Sequence, residues 1–210
     1  MKTDELISML SADTLPRITV QQRLMRALPA AMLVSTLALI GAWGIRPDIA
    51  AALGSAAVLK HVLPLGLVAL AGAVAVALVH PAMPVMRRMP VLGVFGAILF
   101  CVFALALSRQ GLSGLTDALV TPSLLVCLLS IPVLATPFLV AALWALSAGA
   151  ALRPHLAGAA AGLCAGGAGA AIYALYCDQD AILFVLPAYF AAILVVALIG
   201  ALAGPRALKW

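Results

Sequence analysis

Residues 121–146 read TPSLLVCLLSIPVLATPFLVAALWAL, and this run decides the class of fold. It holds no Asp, Glu, Lys or Arg and exceeds the roughly 20 residues an α-helix needs to cross a hydrocarbon layer. One thiol, Cys127, lies near its start, and Pro122, Pro132 and Pro137 punctuate it. A proline inside a helix removes one backbone hydrogen bond, so a span tilted or kinked at Pro132 and Pro137 is expected.

Five further runs of this kind surround it. The six expected spans are residues 27–45, 57–79, 91–107, 119–146, 156–176 and 183–203. Hydrophobic residues make up 66% of the chain and charged residues 9%, and the mean hydropathy is +1.22. Soluble domains carry about 45–50% apolar and about 25% charged residues. The expected fold class is therefore an all-α integral membrane protein, a bundle of six transmembrane helices. Residues 1–26 form an N-terminal segment, 27–203 the membrane domain and 204–210 a C-terminal tail. Arg23 and Arg26 before the first run resemble the start of a signal peptide. The long polar stretch ahead of them and the lack of a small-x-small cleavage site point instead to an uncleaved span.

Basic residues in the connections set the orientation. With the N-terminus inside, the inner side holds Lys2, Arg17, Arg23, Arg26, Arg87, Arg88, Arg153, Arg206 and Lys209, and the outer side only Arg46, Lys60 and Arg109. Asp48, Asp117, Asp178 and Asp180 fall outside. Both termini are thus expected in the cytoplasm. The net charge of +5 speaks to this orientation and to contact with the lipid bilayer, not to nucleic acid.

Ahead of the first span, Thr3 can cap a short helix whose first turn carries Asp4 and Glu5. Leu6, Ile7 and Leu10 share one face of it. About two turns are marginal alone in water. A solvated or headgroup-bound tail and a docking helix for a soluble protein both fit. In the fifth span Gly158, Gly162, Gly166 and Ala170 recur every four residues, the spacing that lets helices approach closely.

Candidates for chemistry are few. No span carries an ionisable acid or base near its middle, which argues against ion-coupled transport and hydrolytic membrane enzymes. There is no HExxH, GxSxG, P-loop or paired carboxylate, so no enzyme activity, cofactor or small-molecule substrate is expected. Interfacial anchoring accounts for His61, His80 and His155. Cys101 and Cys164 fall within the hydrocarbon part of their spans and read as packing residues. Cys127 and Cys177 differ, because both fall near the outer ends of the fourth and fifth spans. They could meet if the fourth span begins as irregular structure around 121–123. Chance, a disulfide, or a soft metal held between two thiolates all remain open on spacing alone. Neighbouring acids should raise the thiol pKa values, which speaks against a nucleophilic catalytic cysteine. A quinone-linked disulfide oxidoreductase would need a CxxC pair, and there is none.

The opening MKTDELISMLSAD, the six-span layout and GIRPDIAAAL after the first span together resemble the NrsF-like negative regulators of sigma F. So do LVCLLSIPVLATP, LRPHLAGAAAGLCAGGAGAAIYALYC and the closing GALAGPRALKW. This resemblance covers nearly the whole chain and implies a multi-pass anti-sigma factor of the bacterial inner membrane. It implies an extracytoplasmic-function (ECF) sigma factor as partner, with Asp4, Glu5, Leu6, Ile7 and Leu10 in the segment closest to it. It further implies that Cys127 and Cys177 sense an oxidant or a heavy metal. A small transporter or channel is the alternative from another class, and it requires polar groups along a pathway.

Overall fold

The first long helix begins where Thr19 can cap it. The Thr19 hydroxyl accepts from the Gln22 backbone N–H at 3.2 Å, and the Gln22 side chain accepts from the Thr19 N–H at 3.0 Å. These reciprocal bonds satisfy two free donors of the first turn. The helix therefore starts at Val20, ahead of residue 27, where the apolar run alone would begin it. The computed structural model describes residues 3, 18–80, 83 and 85–209. Asp4, Glu5, Leu6, Ile7 and Leu10 lie outside the described residues.

Seven α-helices follow one another among the described residues: α1 Val20–Ala42, α2 Ile49–Leu53, α3 Leu59–Leu78, α4 Val85–Leu119, α5 Pro122–Leu146, α6 Pro154–Tyr173 and α7 Ile182–Ala207. All but α2 are long and apolar enough to cross a membrane. Large apolar side chains such as Leu37, Phe100, Leu129, Val140, Phe190 and Leu202 cover the outside of the bundle.

Two stretches depart from the sequence expectation. Residues 108–120 read as a loop, yet helix continues to Leu119, interrupted at Gly111 with φ 70° and ψ −178°. That backbone conformation strains any side chain but glycine's. Beyond it Ala118 and Leu119 turn one face onto the core. Residues 121–123 are likewise not irregular. Thr121 is the N-cap and Pro122 the first helical residue of α5, where proline's fixed φ suits the helix and its missing N–H costs nothing. Helix α5 then runs unbroken past Pro132 and Pro137 to Leu146.

Helix α6 is the hub, packed against α3, α5 and α7. A Cβ on Gly158 would meet the carbonyl oxygen of Gly200, one on Gly162 would meet Val196 and Ala197, and one on Gly166 would meet Ile193. The matched order shows that α6 and α7 run antiparallel with backbones nearly touching. Two glycines outside that stripe serve other neighbours: Gly167 faces Pro64 and Val68 of α3, and Gly169 faces Ile131 and Ala135 of α5. Helix α1 is tied to α5 by the Ser35 hydroxyl, which donates to the Leu134 carbonyl at 2.8 Å. At the end bearing the N-terminus of α1, Arg23 lies 5.2 Å over the Trp144 ring and donates to the Trp144 carbonyl.

Gly158→Val is expected to destabilise the bundle by about 2–3 kcal/mol, the upper range of overpacking, because backbone is what must yield. Gly41→Val meets nothing within 4 Å and serves as control. Thermal unfolding in detergent compares them, and equal midpoints would contradict the close α6–α7 approach.

Candidate functional site

Helix α6 stops at Tyr173, four residues before Cys177. The chain then folds over the end of the bundle and re-enters as α7. This short crossing is pinned by side chains from distant positions. The Arg46 backbone N–H donates to the Leu175 carbonyl at 3.0 Å. The Arg46 guanidinium donates to the Cys177 carbonyl and to Asp180, each at 3.1 Å. Its remaining edge grips both Asp48 carboxylate oxygens at 2.7 Å. From α3, the Lys60 ammonium donates to the same Cys177 carbonyl and the same Asp180 oxygen, each at 2.5 Å. Arg46 is 8% exposed and Lys60 3%. Buried cations of this kind persist only when paired and hydrogen-bonded, and here two carboxylates match them.

The pairings shift the charged groups as their geometry requires. Hydrogen bonds donated to Asp48 and Asp180 raise the Arg46 pKa against the opposing effect of burial. The Arg46 hydrogen bond holds the Asp48 carboxyl below its ordinary value. Burial would raise the Asp180 carboxyl, but hydrogen bonds from Arg46 and Lys60 outweigh it and leave the pKa lowered. Thus Arg46, Asp48 and Asp180 are each shifted toward the charged form.

Beneath it sit the two thiols. Cys127, in the second turn of α5, is fully buried, and Cys177 is 2% exposed. Both belong to one buried cluster and lie within electrostatic reach of each other. Neither is in a disulfide. They approach because Cys177 lies in the crossing that folds back over the start of α5, with no irregular turn needed at 121–123. Tyr173 and Tyr189 belong to the same buried cluster as both thiols, their rings 6.2 Å apart. The Tyr189 hydroxyl lies against Cys177 without hydrogen-bond geometry, and it is buried with no partner among the described residues.

Burial raises the Cys177 pKa; a backbone hydrogen bond at Gln179, the Lys60 charge and the nearby Tyr189 hydroxyl oppose it, and Asp178 adds a smaller upward push. The direction is as the sequence leads one to expect, but desolvation rather than the outer acids dominates. A protonated, buried thiol is a slow nucleophile. Cys177 also lines a half-open cleft of about 630 Å³ with Trp43, Arg46, Ser123, Val126 and Tyr176, and Cys127 does not line it. A reagent arriving from this end therefore meets Cys177 first. Among the described residues no three His, Cys, Asp or Glu side chains gather as metal ligands, so any metal here would be held by the two sulfurs themselves.

The other singled-out side chains have structural roles. His80 Nδ1 bonds the Val76 carbonyl, and His155 Nδ1 bonds the Ala201 carbonyl. Cys164 Sγ lies 3.5 Å from the Val68 carbonyl, in keeping with its expected packing role. Cys101 does not follow that expectation: it is exposed on α4, because that helix turns this face away from the bundle. Sequence reasoning used Arg46 and Lys60 only as orientation signals and missed their joint hold on the Cys177 crossing. The available signal was two cations and two acids assigned to the same side as Cys177.

The family model described as NrsF, negative regulator of sigma F, matches residues 10–210. A relative from Caulobacter vibrioides (strain NA1000 / CB15N), named anti-sigma-F factor NrsF, is 33% identical over 217 residues, covering 100% of both chains. A second, from Azospira oryzae (strain ATCC BAA-33 / DSM 13638 / PS), is named "Probable anti-sigma-F factor NrsF". It is 32% identical over 127 residues, covering 60% of this chain and 57% of the relative. No solved structure matches.

Proposed function

The chain belongs to the NrsF family of negative regulators of sigma F, and from that premise we propose that it is a membrane-embedded anti-sigma factor with a thiol sensor. Its six long apolar helices span the inner membrane, and both termini are cytoplasmic. Residues 1–26 and the inner loops hold an extracytoplasmic-function sigma factor, with Asp4, Glu5, Leu6, Ile7 and Leu10 as the docking segment. Residues 27–203 form the membrane domain and 204–210 a cytoplasmic tail.

One observation carries the sensing half: two buried thiols from different elements belong to one buried cluster at the end of the bundle opposite Arg23 and Trp144. By the basic-residue bias that end faces the periplasm, where thiols are readily oxidised. An oxidant that takes two electrons joins the sulfurs as a disulfide and releases two protons. A thiophilic metal ion bridges them as thiolates instead, again displacing two protons. Either event pulls the start of α5 against the Cys177 crossing, and α5 packs on α1 and α6. Moving α1 relative to the bundle alters what its cytoplasmic end presents to the sigma factor.

Deleting residues 3–17 tests the docking half. The shortened chain is expected to accumulate in the membrane and to lose sigma factor on detergent co-purification. Capture at the parent level would move docking to the inner loops.

A further inference from the structure

Tyr189, two turns into α7, carries a polar group that packing alone does not explain. The residue is 4% exposed, and its hydroxyl has no hydrogen-bond partner among the described residues. An unpaired buried hydroxyl costs stability, and a redox or catalytic role is one of the standard reasons for such a group to persist. What it lies against is Cys177. A thiol sulfur is a weak acceptor and leaves the hydroxyl's donor capacity unused. An oxygen atom added to that sulfur would accept from it.

The two thiols differ in their surroundings. Cys177 lines the half-open cleft beside Arg46, Ser123 and Tyr176, and Cys127 does not. Cys127 is fully buried. The Cys177 S–H reaches the Gln179 carbonyl only at 3.9 Å, while Arg46 and Lys60 clamp the Cys177 backbone carbonyl. Cys177 is thus fixed where a small oxidant can arrive, with an unpaired donor beside it.

Resting on the thiol-sensor reading above, we propose that the cysteines react in a fixed order. Cys177 is oxidised first, Cys127 resolves it, and the Tyr189 hydroxyl donates to the oxygen that leaves. The oxidant is a hydroperoxide, R–O–O–H. Its O–O bond breaks, the terminal oxygen passes to the Cys177 sulfur as a sulfenic acid, S–OH, and ROH departs with the two electrons the sulfur gives up. The Cys127 sulfur then attacks that of Cys177, forming S–S and breaking S–O. The oxygen leaves as water, keeping its own hydrogen and taking the Cys127 thiol proton. Tyr189 is hydrogen-bonded to it while negative charge develops there.

The full chain in detergent is treated with cumene hydroperoxide in the presence of dimedone, which captures sulfenic acids, and peptide mass spectrometry locates the adduct. Adduct is expected on Cys177 and not on Cys127. Cys127→Ala should raise it, because nothing then resolves the sulfenic acid. In Tyr189→Phe, which keeps the ring, disulfide formation should slow about tenfold and the Cys177 adduct should rise. Alkylation of reduced Cys177 by N-ethylmaleimide should keep the parent rate in that variant, whereas loosened packing would change it as well. Tyr173→Phe removes the other phenol of the cluster and should leave both rates unchanged. Adduct on Cys127, no adduct on Cys177, or disulfide formation at the parent rate in Tyr189→Phe overturns the proposal. Sigma-factor release, measured separately, decides the sensor reading. Ordered oxidation without release would sink that reading alone, and thiol-dependent release with the adduct on Cys127 would sink only the order.

Discussion

The chain carrying Cys127→Ser and Cys177→Ser is expected to hold its sigma factor through an oxidant or heavy-metal challenge that, on the proposed sensor reading, releases it from the parent protein. The expected loss of response is complete, because a serine hydroxyl neither forms a disulfide nor holds a soft metal. Each single substitution should do the same, since one sulfur cannot make the link alone. Serine leaves a hydroxyl in a site where Cys127 is fully buried, and an unsatisfied buried hydroxyl costs about 1–3 kcal/mol. The alanine pair is therefore made alongside, with the smaller cost of a lost apolar contact. If both double variants capture sigma factor in unstressed membranes and both still release it under challenge, the thiols are not the sensor. Cys101→Ser and Cys164→Ser should respond as the parent does. The switch asks little of the bundle: shifting a two-state equilibrium from 1:99 to 99:1 takes about 5.5 kcal/mol, within reach of one covalent link or one metal bridge.

Much of this architecture is legible in the sequence because its signals are local. An uninterrupted apolar run announces a long helix whatever surrounds it, and all six appear over the expected runs, although α1 begins earlier, at Val20, and α4 continues to Leu119. Glycine every fourth residue in α6 announces a close neighbour, and the facing Gly200 and Gly204 in α7 echo it. What escapes is whatever depends on partners far along the chain. Gly167 and Gly169 fall off the four-residue stripe and read as filler, yet each admits a different helix. The break at Gly111 depends on how residues 112–119 meet the core, which no short-range pattern encodes. Lys60, embedded in LKHVLPLGL, looks like an interfacial charge. Its partners are 117 and 120 residues away, and only the antiparallel stacking of α3 on α6 brings them together.

Asp180→Ala is the sharpest probe of that long-range cluster. It leaves the Lys60 ammonium, 3% exposed, with the Cys177 carbonyl as its remaining hydrogen-bond acceptor. Removing one partner of a buried ion pair costs about 3–5 kcal/mol. The Asp180 side chain is 39% exposed, and solvent screening lowers the expectation to about 2–3 kcal/mol. Lys60→Met removes the buried charge itself, and Asp180 keeps Arg46, so the expected cost is only about 1 kcal/mol. Adding Lys60→Met to Asp180→Ala should restore much of the loss, because no unpaired ammonium is left. Thermal unfolding of the four proteins in detergent closes this cycle, and strictly additive losses would mean the pair is not coupled. Acid gives an independent arm. A carboxyl whose folded pKa is depressed contributes stability above its unfolded value, and that contribution is lost as pH falls through the folded value. For Asp180 the ordinary value is 3.8, so the parent protein should lose stability as pH drops below about 4, and Asp180→Ala should lose less over the same interval. The Cys177 crossing hangs from the same carboxylate and ammonium. Asp180→Ala should therefore also speed maleimide labelling of Cys177 at neutral pH, whereas Asp117→Ala, which is not among the ion-pair partners of Arg46 or Lys60, should not.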